Sequence, residues 1–217
     1  MQDEKISLSR NTILSTVRYQ VINASLVKEY LDAPYKLMLD FVVIYRCVLK
    51  QTSAGICSLV LRNEQLCKFN ISFDALDESA QQNTLQAGFI IKPVEQMLAD
   101  LNTFEASTNS SASPLYVITN PDEFRGAAVL LFTKPFRDLA HELHDNLYIL
   151  PSSIHEVLAL PSRHFSPRLL EKMIKQVNAT EVRPQDRLSE HVYSYDRYQD
   201  TITIVDTTQA PKTCFFS

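Results

Sequence analysis

Alternating apolar and polar residues predict strands in the first third of the chain. Residues 17–21 (Val-Arg-Tyr-Gln-Val) alternate with the period of two that a half-buried strand shows. From Leu37 to Leu49 one parity is wholly apolar, which predicts a single long and mostly buried strand. The apolar runs Ile56 to Leu61 and Leu66 to Phe73 follow after short polar breaks. We therefore expect an antiparallel meander, in which neighbouring strands are joined by short turns.

Apolar residues at helical spacing predict helices at several further positions. They are a short helix capped by Asn23, a polar helix capped by Asp74 or Asp77, and helices opened by Pro93, by Pro135 and by Ser166-Pro167. In the last of these, a capping residue and a proline precede the apolar stripe Leu169, Leu170, Met173, Ile174 and Val177. Such a stripe is typical of a helix with one buried face.

The second half of the chain returns to strand patterns. Strands are predicted at Leu115 to Thr119, Gly126 to Phe132, Leu147 to Leu150, Ile154 to Leu160, Val192 to Tyr195 and Thr201 to Val205. The last two flank a polar turn and predict a C-terminal hairpin. The whole pattern favours an α+β fold, with several short helices packed on a mostly antiparallel sheet.

Residues 105–114 are small, polar and without periodicity, which indicates a flexible connection. They separate an N-terminal half, residues 1–104, with the meander, from a C-terminal α+β half, residues 115–217. A chain of 217 residues is long enough to bury a substantial core. We expect one compact body with the connection looped out from it.

Composition excludes several classes of function. The 21 basic and 25 acidic residues are scattered along the chain, so no nucleic-acid footprint is present. The apolar runs are too short to span a bilayer, and no signal peptide is evident, so we expect a cytoplasmic protein. The three glycines are far apart, which gives no phosphate loop, and we expect no cofactor. The four cysteines lack zinc or redox spacing and are interpreted as reduced thiols.

Several short runs along the chain resemble a known protein family. They include Tyr116–Asn120 (YVITN), Gly126–Leu131 (GAAVLL), Leu147–Val157 (LYILPSSIHEV), Val177–Val182 (VNATEV) and Val192–Arg197 (VYSYDR). Together they resemble a family of unknown function from Firmicutes-type bacteria, over roughly residues 15 to 200. The resemblance implies a bacterial and cytoplasmic protein. It implies no activity, cofactor or catalytic residue.

Residues 152–156 bring two hydroxyls, an imidazole and a carboxylate into a short stretch. A nucleophile with a base is conceivable among Ser152, Ser153, His155 and Glu156. In an extended chain, however, His155 and Glu156 point to opposite faces, so the carboxylate cannot easily orient the imidazole. We therefore favour a structural turn, in which the two serines satisfy backbone groups.

Other reactive side chains are interpreted as isolated. Cys47 lies in an apolar run and is expected to pack as a small hydrophobe. His141 and His144 are three residues apart, whereas a zincin helix needs four, so a metal site formed with His155 is disfavoured and no metal is expected.

Four residues are candidates for binding. Asp40 and Arg46 lie on the same face of the predicted long strand, opposite the wholly apolar face. Each needs a partner from another element or else lines a polar pocket. Tyr193 and Tyr195 offer aromatic surface for a protein or peptide, although hairpin packing explains them as well.

The sequence holds no complete catalytic, metal or phosphate constellation. Our leading hypothesis is therefore a non-enzymatic protein-binding or regulatory domain with a protein partner. The alternative is a hydrolase whose groups converge from distant segments, with Cys47 or Ser152 as nucleophile and His155 as base. Whether His155 reaches either group in a pocket distinguishes the two hypotheses.

Overall fold

The computed structural model describes residues 8–52, 55–95 and 115–208, and these form two antiparallel sheets flanked by short helices. The predicted α+β class is confirmed. The first sheet contains β1 (Val17–Asn23), β2 (Tyr35–Met38), β3 (Phe41–Thr52) and β4 (Gly55–Val60). The long strand β3 pairs with β1 on one side, and on the other with β2 at its start and β4 at its end.

The second sheet has six strands, all antiparallel, in the order β10-β9-β7-β8-β6-β5. Its strands are β5 (Ile90–Pro93), β6 (Tyr116–Thr119), β7 (Leu147–Leu150), β8 (Val157–Pro161), β9 (Tyr193–Asp196) and β10 (Thr201–Ile204). The C-terminal hairpin is confirmed as β9 and β10. Strand β5 comes from the N-terminal half and pairs with β6 of the C-terminal half. The predicted connection at 105–114 lies outside the described residues.

The α-helices pack on the faces of these sheets. They are α1 (Arg10–Thr16), α2 (Asn63–Lys68), α3 (Phe73–Ala87), α4 (Lys134–Leu143) and α5 (Pro167–Thr180). Four 3-10 helices are also described, at Ala24–Tyr30, Gly126–Leu131, Ser162–His164 and Pro184–Asp186. The side chain of Asn23 caps the first of them, as the sequence predicts, by accepting from the Ser25 amide at 2.8 Å.

One cluster of buried side chains forms the main core and draws on both halves of the chain. It includes Val17, Tyr19 and Tyr45 from the first sheet and Ile118, Ile149 and Tyr195 from the second. The 3-10 helix Gly126–Leu131 lies between the sheets and contacts both β1 and β6. Its residues are buried from Gly126 to Leu130, and the apolar side chains from Ala127 to Leu130 belong to the main core.

Helix α3 is held to the first sheet by a polar cluster as well as by apolar packing. The carboxylate oxygen Oδ1 of Asp77 accepts from Tyr45 Oη at 2.6 Å, Tyr19 Oη at 2.7 Å and Lys36 Nζ at 2.7 Å. Both tyrosines are buried, so each phenol needs this acceptor. We call these four residues the Asp77 cluster.

The predicted strand from Leu37 to Leu49 is wrong as a single element. A two-residue turn at Leu39 and Asp40 divides it into β2 and β3, which pair from Met38 and Phe41 onwards. Leu39 reverses the chain with a left-handed φ of 52°, a conformation that glycine or asparagine usually supplies. Because the apolar parity continues after the turn, the pattern alone conceals it.

The predicted third strand, Leu66 to Phe73, is also wrong. Residues 63–68 form α2, whose first turn closes when the Arg62 amide donates to Gln65 Oε1 at 2.7 Å. Asn70 then turns the chain with a φ of 51°, and Ser72 caps α3 in place of the expected Asp74 or Asp77. The run is apolar enough for a strand, but these polar caps decide its conformation.

One further predicted element differs in type from the structure, and another is only partly described. Gly126 to Phe132, predicted as a strand, contains the 3-10 helix Gly126–Leu131. The prediction failed because a fully buried apolar run has no periodicity that distinguishes a strand from a helix. The helix predicted at Pro93 begins one residue later, because Pro93 is the last residue of strand β5 and Val94 and Glu95 are helical. Most of that predicted helix, residues 96–101, lies outside the described residues.

Candidate functional site

An apolar groove lies between α5 and the second sheet. Its volume is about 530 Å³, within the range of small-molecule and peptide pockets. Ten of the twelve lining residues are apolar, Glu95 and Ser152 being the polar ones: Val94, Glu95, Leu115, Leu150, Ser152, Leu158, Leu160, Phe165, Leu170, Met173, Ile174 and Val177. We call this feature the α5 groove.

One wall of the groove is formed by side chains of the second sheet, which alternate between its two faces along each strand. Along β8, Val157 and Ala159 belong to the main core, whereas Leu158 and Leu160 face the opposite side. Strand β7 adds Leu150 to the same side as the two leucines. The second sheet is therefore apolar on both faces, and its second face is only partly covered by α5.

Helix α5 forms the other wall and has more apolar surface than it buries. Leu170 and Ile174 pack into the small core under the helix. Leu169, Met173 and Val177, spaced four residues apart, remain 56%, 50% and 41% exposed. These three positions form one stripe along the helix surface, and Met173 and Val177 also line the groove. The apolar surface thus continues from the groove onto the outside of the helix.

Basic residues border this exposed stripe. Arg168 and Lys172 are exposed, one residue before Leu169 and Met173, and four residues apart. Glu171 lies elsewhere on the helix and pairs with Lys175 at 2.6 Å. The solvent edge of the stripe is therefore positively charged.

The predicted nucleophile Ser152 lies at the α5 groove, whereas its neighbours belong to a structural turn. The carbonyl of Ser152 accepts from the Leu188 amide at 3.1 Å. Ser153 is buried, and its hydroxyl accepts from the His155 amide at 3.0 Å. Glu156 is partly exposed just before β8. The Ser153 hydroxyl thus satisfies a backbone amide of the turn, whereas Ser152 takes part through its main-chain carbonyl.

His155 is positioned by backbone and carboxylate contacts. Its Nδ1 accepts from the Arg125 amide at 3.2 Å, and its Nε2 faces Asp186 Oδ1 at 3.6 Å. Among the described residues, no hydrogen bond joins His155 to Ser152 or Cys47. Both ring nitrogens face groups of the surrounding loops, which leaves no evident position for a nucleophile beside the imidazole.

Cys47 lies in the main core on β3. Its side chain is fully buried, and its thiol lies 3.9 Å from the carbonyl oxygen of Ile13. Burial raises the pKa of the Cys47 thiol to about 11, so the reactive thiolate is disfavoured at neutral pH.

The histidines of α4 are at the surface. His141 and His144 are both exposed, and His144 ends the helix with a left-handed φ of 53°. Within the described ranges, no three His, Cys, Asp or Glu side chains are grouped closely enough to hold a metal ion.

The structure brings two of the predicted binding residues together. The Asp40 carboxylate accepts from Ser189 Oγ at 2.7 Å and also from the hydroxyl of Tyr193. His191 Nδ1 lies 2.7 Å from the same Asp40 Oδ2 that Ser189 contacts. The Ser189 hydroxyl and the His191 imidazole thus both contact one carboxylate oxygen, and the hydroxyl accepts from the main-chain amide of His191 at 3.0 Å, which differs from a catalytic triad. These contacts join the β2–β3 turn to the C-terminal half.

The other two predicted binding residues lie apart. Tyr195 is buried and donates to Asp200 Oδ1 at 2.7 Å, and Arg137 Nε also donates to that oxygen at 3.0 Å. Arg46 donates to Gln20 Oε1 at 2.6 Å on the first sheet. The two tyrosine hydroxyls are therefore used inside the molecule.

Sequence reasoning missed the α5 groove, because its leucines were interpreted only as core. The signal was present in α5, whose five apolar positions cover a wider face than one packed side requires. Asp77, Arg125 and His191 carried no local signal, since their partners come from distant segments.

The architecture and its groove define an α+β protein of two antiparallel sheets with an apolar cleft under one helix. The model of a family of unknown function, DUF5688, matches residues 2–197. The chain therefore belongs to this family. No curated protein and no solved structure matches it. Among the described helices, none has both the length and the apolar character that crossing a membrane requires.

Proposed function

We propose that this protein is a non-enzymatic binding protein, and that the α5 groove docks an amphipathic, acidic helical segment of a partner protein. The observation that carries the proposal is the continuity of the groove with the exposed stripe Leu169, Met173 and Val177. An exposed apolar surface of this kind is typical of interaction sites.

The extent of the stripe favours a protein over a small molecule. A ligand contained in the groove contacts Met173 and Val177, but Leu169 does not line the groove and stays exposed. A helical segment laid along α5 covers all three side chains at once, since helix-in-groove recognition uses anchors spaced by three or four residues. Methionine at the centre adapts to the shape of the partner.

The charge around the stripe suggests the chemistry of the partner. Arg168 and Lys172 lie at its solvent edge, and neither forms an ion pair within the described part of the chain. Acidic residues beside the apolar anchors of the partner would complement them and speed association at low salt. We also propose that the protein is bacterial and cytoplasmic, as the sequence resemblance implies.

Affinity capture with matched variants tests the proposal. Met173→Lys places a charge in the exposed stripe, whereas Gln176→Lys places it on the neighbouring polar surface of α5. We expect wild type and Gln176→Lys to capture the same protein from native lysate, and Met173→Lys to lose it. A synthetic peptide of the segment mapped by cross-linking should bind at least about tenfold more weakly to Met173→Lys.

Two results would overturn the proposal. One is that the wild-type protein is monomeric on sizing and captures no protein that Met173→Lys fails to capture. The other is a lipid or other apolar small molecule that native mass spectrometry finds in the groove, displaced by the same substitution. The hydrolase alternative remains a prediction, and turnover of a substrate that requires Ser152 or Cys47 would favour it.

A further inference from the structure

Two arginines face each other across the first sheet. Arg18 of β1 and Arg46 of β3 are directly opposite in the antiparallel register. Like charges at such positions destabilise a strand pair unless something compensates them. Arg18 Nη1 is compensated, because it lies 3.2 Å from Asp122 Oδ2.

Arg46 has neutral hydrogen-bond partners. Its Nε donates to Gln20 Oε1 at 2.6 Å, and its Nη1 donates to Ser58 Oγ at 3.2 Å. Burial, and then the nearby charge of Arg125, lower the pKa of Arg46 to about 10. Among the residues that the structure describes, no carboxylate forms an ion pair with Arg46, although the charge of Arg125 lies nearby.

The second charge is that of Arg125, which lies at the end of a constrained loop. Residues 120–125 are closed by Asn120, whose side chain accepts from the Phe124 amide at 3.2 Å and donates to the Phe124 carbonyl at 2.9 Å. Glu123 and Arg125 both adopt left-handed φ values, 50° and 58°, which are costly for residues with a side chain. Strained backbone of this kind often accompanies a functional site.

The guanidinium of Arg125 has an unsatisfied donor. Its Nε is buried without a hydrogen-bond partner, and the group stacks over the Phe124 ring at 4.8 Å. Burial lowers the pKa of Arg125, although Tyr30 and Asp186 act in the opposite direction. A buried donor without a partner costs free energy, so a ligand that accepts from it would be bound favourably.

We propose that Arg18, Arg46 and Arg125 form a binding pocket for a phosphate group. They line one pocket of about 40 Å³ together with Asn120, Asp122 and Ser58. One water-sized atom needs about 10–15 Å³ of such volume, so the pocket has room for about three oxygen atoms of a small anion. With Arg18 paired to Asp122, two guanidiniums remain, and a phosphate dianion neutralises both through bidentate hydrogen bonds. This arginine pocket is separate from the α5 groove.

Thermal unfolding with added anions tests the phosphate pocket. Inorganic phosphate and glycerol phosphate, at low millimolar concentration and constant ionic strength, are compared with acetate and chloride. We expect phosphate to raise the Tm of wild type by about 4 °C at ten times its Kd. A response to glycerol phosphate identifies a phosphate monoester as the ligand, and a response to inorganic phosphate alone identifies the free ion.

Arg125→Met is the decisive variant, because it keeps the aliphatic stem and removes the guanidinium whose buried Nε has no hydrogen-bond partner among the described residues. Without added anion we expect its Tm to lie about 2 °C above that of wild type, since the repulsion from Arg46 and the orphaned donor are gone. Its response to phosphate should disappear. Arg46→Met should lose the response as well, and Arg183→Met, at an exposed arginine outside both proposed sites, should keep it.

The proposal fails if Arg125→Met responds to phosphate as wild type does, because phosphate stabilises folded proteins nonspecifically at high concentration. An equal response of wild type to acetate would overturn the assignment of phosphate. If Arg46→Met does not fold, the comparison of wild type, Arg125→Met and Arg183→Met still decides the outcome.

Discussion

A single carboxylate oxygen, Asp77 Oδ1, accepts hydrogen bonds from donors on three strands. Tyr19 comes from β1, Lys36 from β2 and Tyr45 from β3, so the Asp77 cluster ties α3 to most of the first sheet. Although burial acts to raise it, the hydrogen bonds from Lys36, Tyr45 and Tyr19 hold the pKa of Asp77 below its usual 3.8. The cluster is stable because the carboxylate stays charged while both phenols stay neutral.

Asp77→Ala should therefore destabilise the protein by about 2–4 kcal/mol, since it removes the carboxylate that accepts from both buried phenols and leaves Tyr19 only the main-chain carbonyl of residue 77. Urea unfolding measures the change. Asp74→Ala is the matched control, because Asp74 is exposed in the first turn of the same helix and contributes at most about 1 kcal/mol through the helix dipole. Equal losses in the two variants would contradict the role given to Asp77.

The same cluster predicts how stability depends on pH. The folded pKa of Asp77 is lower than the unfolded one, so its contribution is present above about pH 4 and is lost as the pH falls further. Burial and the Asp77 hydrogen bond raise the pKa of Tyr19 and Tyr45 above 10, so their contribution is lost as the pH rises beyond about 10. Unfolding free energies measured across pH should fall at both ends, and less steeply in Asp77→Ala.

Thiol labelling tests the environment of Cys47. Iodoacetamide should modify the exposed Cys57 and Cys67 in the native protein while Cys47 stays unmodified, because burial raises its thiol pKa to about 11. Peptide mass spectrometry before and after unfolding in urea separates the sites. Rapid native labelling of Cys47 would instead support its role as a nucleophile.

At the scale of elements, the 3-10 helix Gly126–Leu131 depends on close packing at its first residue. A Cβ added at Gly126 would lie 2.1 Å from Thr119 Oγ1, 2.6 Å from the Asn120 amide nitrogen and 2.7 Å from the His155 carbonyl oxygen. Two of these atoms belong to the backbone and cannot move aside. Glycine is needed here because of space, since its φ is not positive.

Gly126→Ala should therefore cost about 3 kcal/mol or more, through overpacking and loss of the hydrogen bond from its amide to the His155 carbonyl. Gly88→Ala provides the comparison, because a Cβ there meets nothing within 4 Å and only the φ of +81° is unfavourable. We expect about 1–2 kcal/mol for that change. Chemical denaturation of both variants tests the order of the two effects.

Elements with polar boundaries were predictable from the sequence, and those decided by distant contacts were not. Ser166-Pro167 marks α5, and the alternation around Tyr19 marks β1. The buried run from Gly126 to Leu131 has no polar side to set a period, so its helical form depends on contacts with β1 and β6. The turn at Leu39 and Asp40 was missed because Leu39 is an unusual residue for a left-handed position.

The site was predictable to a smaller extent, since its parts converge from distant segments. Asp40 and Tyr193 were both chosen as binding residues, and they contact each other although 153 positions separate them. Arg125 was not predicted as a site residue, because nothing in the sequence distinguishes a loop arginine that the fold partly buries near Arg46. Sequence spacing describes neighbours along the chain, whereas this pocket depends on neighbours across it.

At the scale of the whole molecule, we propose that both halves unfold as one body. The main core mixes their side chains, and Asp40 accepts hydrogen bonds from Ser189 and Tyr193 of the other half. Asn23 Nδ2 also donates to the Leu188 carbonyl at 2.8 Å. Calorimetry should show a single transition whose calorimetric and van't Hoff enthalpies agree.

Asp40→Asn should lower the stability of that single transition by about 1–3 kcal/mol, because the replaced carboxylate serves donors from the other half. Glu190→Gln, an exposed neighbour of the same segment, should change stability by less than about 0.5 kcal/mol. Two separate transitions in the wild type, or an unchanged midpoint in Asp40→Asn, would show that the halves are independent.

The two-residue turn at Leu39 and Asp40 has a consequence for how the chain tolerates change. Hairpin loops at the surface generally accept insertions, since little depends on their length. Here one loop residue both closes the hairpin and anchors the segment around Ser189. Lengthening this loop by even one residue would move the anchor away from its partners, so this is a poor place to insert a tag or to open a circular permutant.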